Sequence, residues 1–211
     1  MKMTSAVPAP TRVAEPLRRQ MAKLWIVAGA FLLCAPAAAQ TVAGDAFADA
    51  KDGGKKHIAS GFICPAKIGL FERDAVGESN PETGEDFCAY AALDGVYGTI
   101  KLMPLHGDYD ARAAFAADFA EQEGTGGKKI SEGNVTIKGD SRDPASTVYT
   151  RGYVTAQLED LHYRVLFAGA AVKSWAVEAV IEYAEPRDTP EQKEFLQAVY
   201  AAAQSEIGAS P

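Results

Sequence analysis

DFCAYAALDGVYGTIKLM, residues 86–103, is the stretch of sequence that predicts the architecture of the core. Residues 87, 89 and 91 fall on one face of its first half, and residues 88, 90 and 92 fall on the other. Asp94-Gly95 lies between the halves and is a dipeptide that favours a tight two-residue turn. Pro104 ends the second half. We therefore predict a β-hairpin over residues 86–103.

The flanking sequence predicts further strands and two helices. Segments rich in β-branched and aromatic residues precede the hairpin over 68–76 and follow it over 130–183. Residues 110–123 and 189–207 carry apolar side chains every four positions, which is typical of helices with one buried face. The order strands, helix, strands, helix predicts an α+β fold, in which two main helices pack on an antiparallel β-sheet.

The N-terminal 39 residues predict a secretory signal peptide. Basic residues at positions 18, 19 and 23 precede the uncharged, largely apolar residues 24–33. Small residues follow and end at Ala39, so we predict cleavage between Ala39 and Gln40. Ten apolar residues are too few for a bilayer core that needs about 20 in a helix, which makes a retained transmembrane segment the weaker interpretation.

Two features leave alternatives open at this end of the chain. Met21 is a second candidate start, since residues 21–39 alone form a complete short signal. Cys34 raises the alternative of a lipid anchor. Leu33 precedes it, however, where lipid attachment normally requires Gly, Ala or Ser, so cleavage after Ala39 stays the prediction.

Removal of residues 1–39 leaves a strongly acidic chain. Residues 40–211 hold 16 of the 21 basic and 27 of the 28 acidic residues, a formal net charge of −11. Such a surface repels phosphate backbones and anionic head groups, so we predict neither a nucleic-acid partner nor a stable membrane anchor. Residues 40–56 lack periodicity and predict a flexible lead-in. Residues 57–207 suffice for a single domain, located in the periplasm or outside the cell.

Cys64 and Cys88 are the two cysteines of the predicted mature chain. In an oxidising compartment an even pair predicts one intramolecular disulfide. A redox or metal-binding pair is the alternative, but the two residues lack the close Cys-x-x-Cys spacing that tunes a reactive thiol. The structural disulfide is the prediction.

No motif in the sequence predicts catalysis or a cofactor. GTGGKK, residues 124–129, lacks the first glycine and the final Ser or Thr of a phosphate-binding loop and follows a predicted helix, so we interpret it as a helix-to-strand connection. His57, His106 and His162 have no metal-ligand spacing. We therefore assign no catalytic, cofactor-binding or metal-ligating residue.

Three segments resemble a group of small secreted bacterial proteins of unknown function: GFICP (61–65), IGLFER (68–73) and DFCAY (86–90). The resemblance implies a PsbP/Mog1-like α+β sandwich and carries no established reaction. Within these segments, we expect Arg73 and Asp86 to face each other across adjacent strands. An ion pair is the simpler interpretation, and a ligand-facing role is the alternative.

These observations favour an exported, non-enzymatic domain that binds a protein or a small ligand. A hydrolase-type enzyme with a site dispersed in sequence is one alternative. It requires a cleft where a histidine meets a serine or a carboxylate. A structural envelope protein is another, and a large exposed apolar patch would favour it. The sequence names neither the ligand nor the partner.

Overall fold

Long β-strands dominate the computed structural model, which describes residues 46–93, 96–139 and 145–208. Strands hold 52% and helices 22% of these residues. The strands are β1 (Phe47–Asp49), β2 (Lys55–His57), β3 (Ile63–Cys64), β4 (Lys67–Ile68), β5 (Phe71–Asn80), β6 (Glu85–Ala91), β7 (Tyr97–Pro104), β8 (Lys128–Ile137), β9 (Ser146–Leu158), β10 (Leu161–Val172) and β11 (Trp175–Glu185). The helices are α1 (Ala111–Ala114), α2 (Ala116–Gly124) and α3 (Thr189–Glu206), with a short 3-10 turn at Lys51–Gly53.

The strands form two antiparallel sheets. The larger is a curled sheet of eight strands in the order β4-β5-β6-β7-β11-β10-β9-β8, and the smaller has the order β1-β2-β3. The predicted hairpin is present as β6 and β7, with Asp86 opposite Leu102 and Tyr90 opposite Gly98. Its predicted turn, Asp94-Gly95, lies outside the described residues.

The large sheet is buried on both faces near its centre. Leu166 and Ala168 of β10 belong to the main core, which α3 covers, whereas Val165 and Phe167 contact a second cluster under α1 and α2. Successive residues of a strand point to opposite faces. The fully apolar run of β10 therefore reflects a strand packed on two sides.

The predicted α+β fold with two main helices packed on the sheet is wrong. The chain is mostly β, and the helix predicted over residues 110–123 is broken at Phe115 into α1 and α2. Strands β5 and β8 are each ten residues long, yet much of their sequence is polar and exposed. Backbone pairing stabilises such strands without a strong alternation of side chains, so the sequence underestimated the strand content.

Helix α3 matches its prediction closely. Phe195, Val199, Ala203 and Ile207 are all buried, so the predicted apolar stripe is the face that meets the sheet. Phe195 packs against Phe71 and Tyr90, with ring centroids 4.8 and 5.4 Å apart. The last helix is therefore a central part of the core.

The flexible lead-in predicted for residues 40–56 is wrong from residue 46 onward. Phe47 is buried in β1, and Lys55 of β2 pairs with Asp49 across the small sheet at 2.6 Å. One buried aromatic ring and a three-stranded sheet order this segment, although its composition has no periodicity. The predicted signal peptide, including Met21, Cys34 and the cleavage site at Ala39 and Gln40, lies outside the described residues.

Candidate functional site

The disulfide between Cys64 and Cys88 is present, which confirms the prediction. Their Cα atoms are 6.4 Å apart, and both side chains are fully buried. The bond joins β3 of the small sheet to β6 of the large one. Because disulfides persist in oxidising surroundings, this pair is compatible with a location outside the cytoplasm.

His57 contacts both a serine and a carboxylate. Its Nε2 lies 2.7 Å from Asp86 Oδ2, and its Nδ1 lies 2.7 Å from Ser60 Oγ. The Ser60 backbone N–H also donates to Nδ1 at 3.3 Å, so the ring proton is assigned to Nε2 and is donated to Asp86. The Ser60 hydroxyl then donates to Nδ1 and accepts the Phe62 N–H at 3.1 Å.

This serine–histidine–aspartate cluster has the residue types of a nucleophilic hydrolase but is closed to substrate. His57 is 1% exposed, Ser60 3% and Asp86 8%, and the rings of Phe47 and Trp175 pack on the imidazole. Neither of the two cavities described below is lined by these residues. Each polar atom of the imidazole and the hydroxyl has a partner within the cluster. We interpret this cluster as a buried set of hydrogen bonds that connects the two sheets.

Arg73 and Asp86 do not face each other. The register places Arg73 opposite Tyr90 and Asp86 opposite Glu78, because β5 runs further along β6 than the sequence suggested. Arg73 instead donates to the carbonyl oxygens of Cys64 and Gly53, at 2.7 and 2.8 Å. Arg73 therefore connects β5 to the segment that contains the small sheet. Asp86 hydrogen-bonds to His57 instead.

The other residues considered in the sequence form no site. His106 is exposed and His162 half-buried, and neither hydrogen-bonds to a serine or carboxylate of the described chain. Residues 124–129 span the end of α2, a connection over residues 125–127 and the start of β8, so they form the predicted helix-to-strand connection. Throughout residues 46–93, 96–139 and 145–208, no three His, Cys, Asp or Glu residues are arranged to hold a metal ion. None of the described helices has the length and apolar character needed to cross a bilayer.

An open groove of about 660 Å³ lies beside the edge strand β4, where β5, the end of β6 and the start of α3 meet. Buried Phe71 and Val96 form its floor. Leu70 and Leu93 form its walls and are 60% and 88% exposed. Sites for small molecules commonly measure roughly 300–1,000 Å³ and are mostly apolar with a few polar groups. The groove lies in this size range, and most of its surface is apolar.

Charged side chains surround this apolar surface, and most have partners. Lys67 pairs with Glu72 at 3.3 Å, and Arg187 donates to both carboxylate oxygens of Asp188, at 2.7 and 3.0 Å. Glu191, in the first turn of α3, is different. Its Oε2 is buried and has no hydrogen-bond partner among the described residues, an arrangement that costs about 1–3 kcal/mol.

A second cavity of about 480 Å³ lies between α1 and the edge of the sheet formed by β8 and β9. Its lining is polar, and the main polar groups are already engaged. Arg112 pairs with Glu132, which also accepts from Tyr149 at 2.9 Å, and Gln204 donates to Ser146. Hydrogen bonds from Lys129 and Tyr149 lower the pKa of Glu132 to about 2. The groove, by contrast, combines a larger apolar surface with a carboxylate oxygen that has no partner among the described residues.

The groove was missed in the sequence because its residues come from three distant segments. Leu70 follows the two-residue strand β4, Leu93 lies between β6 and β7, and Glu191 lies in the first turn of α3. A leucine beside an Asp-Gly turn was the available signal, since turn tips are normally polar.

Comparison of the chain with known proteins finds no matching family model, no matching curated protein and no matching solved structure. The resemblance of residues 61–65, 68–73 and 86–90 to small secreted bacterial proteins therefore stays a prediction. Arguments about function rest on the geometry of the chain itself.

Proposed function

We propose that this protein is an exported domain that binds a small ligand in the groove between Leu70 and Leu93. The observation that carries the proposal is a pair of exposed leucines above an apolar floor. Exposed leucines are unremarkable singly, but two that flank one concave apolar surface offer area that a ligand can remove from water. The closed His57 cluster gives no comparable support for hydrolysis.

Export is the second part of the proposal. It is supported by the sequence of residues 1–39 and by the disulfide between Cys64 and Cys88. N-terminal sequencing of protein recovered from the periplasm or medium of a bacterial host is expected to begin at Gln40. A start at a lipid-modified Cys34, or retention of the full chain in the cytoplasm, would contradict this assignment.

Binding is tested with N-phenyl-1-naphthylamine, a neutral apolar dye whose fluorescence rises when it leaves water. We expect saturable binding to the wild-type protein and a roughly tenfold weaker affinity after Leu70→Ser and Leu93→Ser together, since about 1.4 kcal/mol of apolar contact corresponds to that factor. Both positions are exposed, so the folded state is expected to persist.

Leu158→Ser is the matched control. Leu158 is 61% exposed and lies in the β9–β10 hairpin, outside both cavities. The Leu158→Ser substitution removes an exposed leucine without altering the groove. The dye affinity of this variant is expected to equal that of the wild type. Absence of dye binding, or an equal loss in the control and the double variant, would overturn the proposed function.

A further inference from the structure

Glu191 gives the groove a carboxylate that lacks a hydrogen-bond donor in the described part of the chain. Its carboxylate lines the groove, yet Oε2 has no donor within the described residues. The Glu191 side chain is only partly buried, and neither of its carboxylate oxygens forms a hydrogen bond or ion pair with a described residue. A ligand with an N–H donor that reaches this carboxylate from the groove would give it a hydrogen-bond partner.

The charges around the groove favour a positive donor. Lys67 and Arg187 are paired with acids, and Arg73 donates to backbone carbonyls. The whole chain carries a formal net charge of −7, so its field also attracts cations. An anionic head group would meet an unpaired carboxylate.

We infer that the groove binds amphipathic amines, with the apolar body between Leu70 and Leu93 and the protonated amine on Glu191. This inference rests on the proposed function and adds the chemical class of the ligand. The N⁺–H···O⁻ hydrogen bond is charge-assisted and therefore stronger than a neutral one. Glu191 selects the head group, and the leucines bind the body.

Isothermal titration calorimetry with three ten-carbon probes tests the inference. Decylamine, decanol and decanoate share the same chain and differ in the head group, and each is used below its aggregation concentration. We expect decylamine to bind about tenfold more tightly than decanol, and decanoate to bind most weakly. In Glu191→Gln the decylamine affinity is expected to fall about tenfold, whereas the decanol affinity stays within twofold.

Glu121→Gln is the control for a general loss of negative charge. Glu121 is exposed on α2, away from the groove, and the substitution removes the same unit of charge. Its decylamine affinity is expected to match the wild type. Equal affinity for decylamine and decanol, or an equal loss in Glu121→Gln and Glu191→Gln, would overturn the inference while leaving the proposed function in place. Failure of the dye and all three probes to bind would overturn both.

Discussion

His57 Nε2 lies 2.7 Å from Asp86 Oδ2, a buried contact that joins the small sheet to the large one. Two residues further along β6, Cys88 forms the disulfide to Cys64 and makes the same connection covalently. Arg73 adds hydrogen bonds from β5 to the carbonyl oxygens of Cys64 and Gly53. The small N-terminal sheet and the large sheet share no strand among the described residues. Side-chain hydrogen bonds and one disulfide therefore connect them.

Asp86→Ala is expected to lower the free energy of unfolding by about 1–3 kcal/mol. The substitution leaves the Nε2–H of buried His57 without an acceptor, and an unsatisfied buried donor has about that cost. Urea unfolding monitored by tryptophan fluorescence measures it, since Trp175 packs against the His57 ring. Asp108→Ala is the control, since it removes an exposed aspartate whose side chain forms no hydrogen bond or ion pair in the described chain. Equal stability of the two variants would show that the contact does not hold the sheets together.

Replacing both Cys64 and Cys88 by alanine is expected to lower stability by roughly 3 kcal/mol, on the chain-entropy estimate for a loop closed across 24 positions. Dithiothreitol is expected to destabilise the wild-type protein by a similar amount and to leave the double variant unchanged. In unreduced wild-type protein, thiol reagents are expected to leave Cys64 and Cys88 unmodified. Two alkylated cysteines at positions 64 and 88 would refute the disulfide.

Sequence patterns predicted the elements that depend on local signals. The β6–β7 hairpin combines alternation with a turn dipeptide, and α3 combines an apolar stripe with a first-turn proline. The helix begins at Thr189, as predicted, and Asp188 occupies the position before it. Strand β8 lies within the predicted strand segment, residues 130–183, except for its first two residues, although an edge strand with one solvated side carries polar residues such as Asn134.

The sites depend on contacts that no local pattern encodes. His57 and Asp86 are 29 positions apart, and which carboxylate meets the histidine follows from how the two sheets pack. The expected partner of Asp86 was Arg73, but the register places Arg73 opposite Tyr90, four residues further along β6. Strand register, which decides such pairs, is set by the buried face and the turns together.

Glu178 predicts a defined pH dependence of stability. Burial raises the pKa of its carboxyl above the ordinary 4.5, although Tyr109 donates a hydrogen bond to it at 2.9 Å. Because the folded state favours the protonated form, this group's contribution to stability is fully present below about pH 4.5 and is lost as the pH rises through the folded-state pKa.

We therefore expect Glu178→Gln, which stays neutral, to gain stability relative to the wild type between pH 4 and pH 7.5. Urea unfolding of both proteins at the two pH values gives the difference, in which the acid sensitivity of other groups largely cancels. Glu121→Gln, at an exposed position, is expected to show no such trend. A relative gain at pH 4 instead would mean that Glu178 is stabilised as an anion.

Gly98 leaves the space that the Phe195 side chain of α3 occupies. A Cβ at this position would lie 2.7 Å from the Phe195 ring, closer than any ordinary contact. Gly98→Ala is therefore expected to lower stability by about 1–3 kcal/mol, since the close-packed ring cannot move freely. Gly133→Ala in β8 is the matched control and is expected to be nearly neutral, because no atom outside the adjoining residues of the chain lies within 4 Å of the added carbon.

The cause of the Gly98→Ala effect is resolved by a double-mutant cycle with Phe195→Leu. The smaller side chain destabilises the wild-type background, because it leaves a cavity beside Phe71 and Tyr90. In the Gly98→Ala background it also relieves the clash, so the combined loss is expected to be smaller than the sum of the two single losses. Urea midpoints of the four proteins measure the coupling. Additive losses would mean that Gly98 and Phe195 act independently and that α3 docks elsewhere on the sheet.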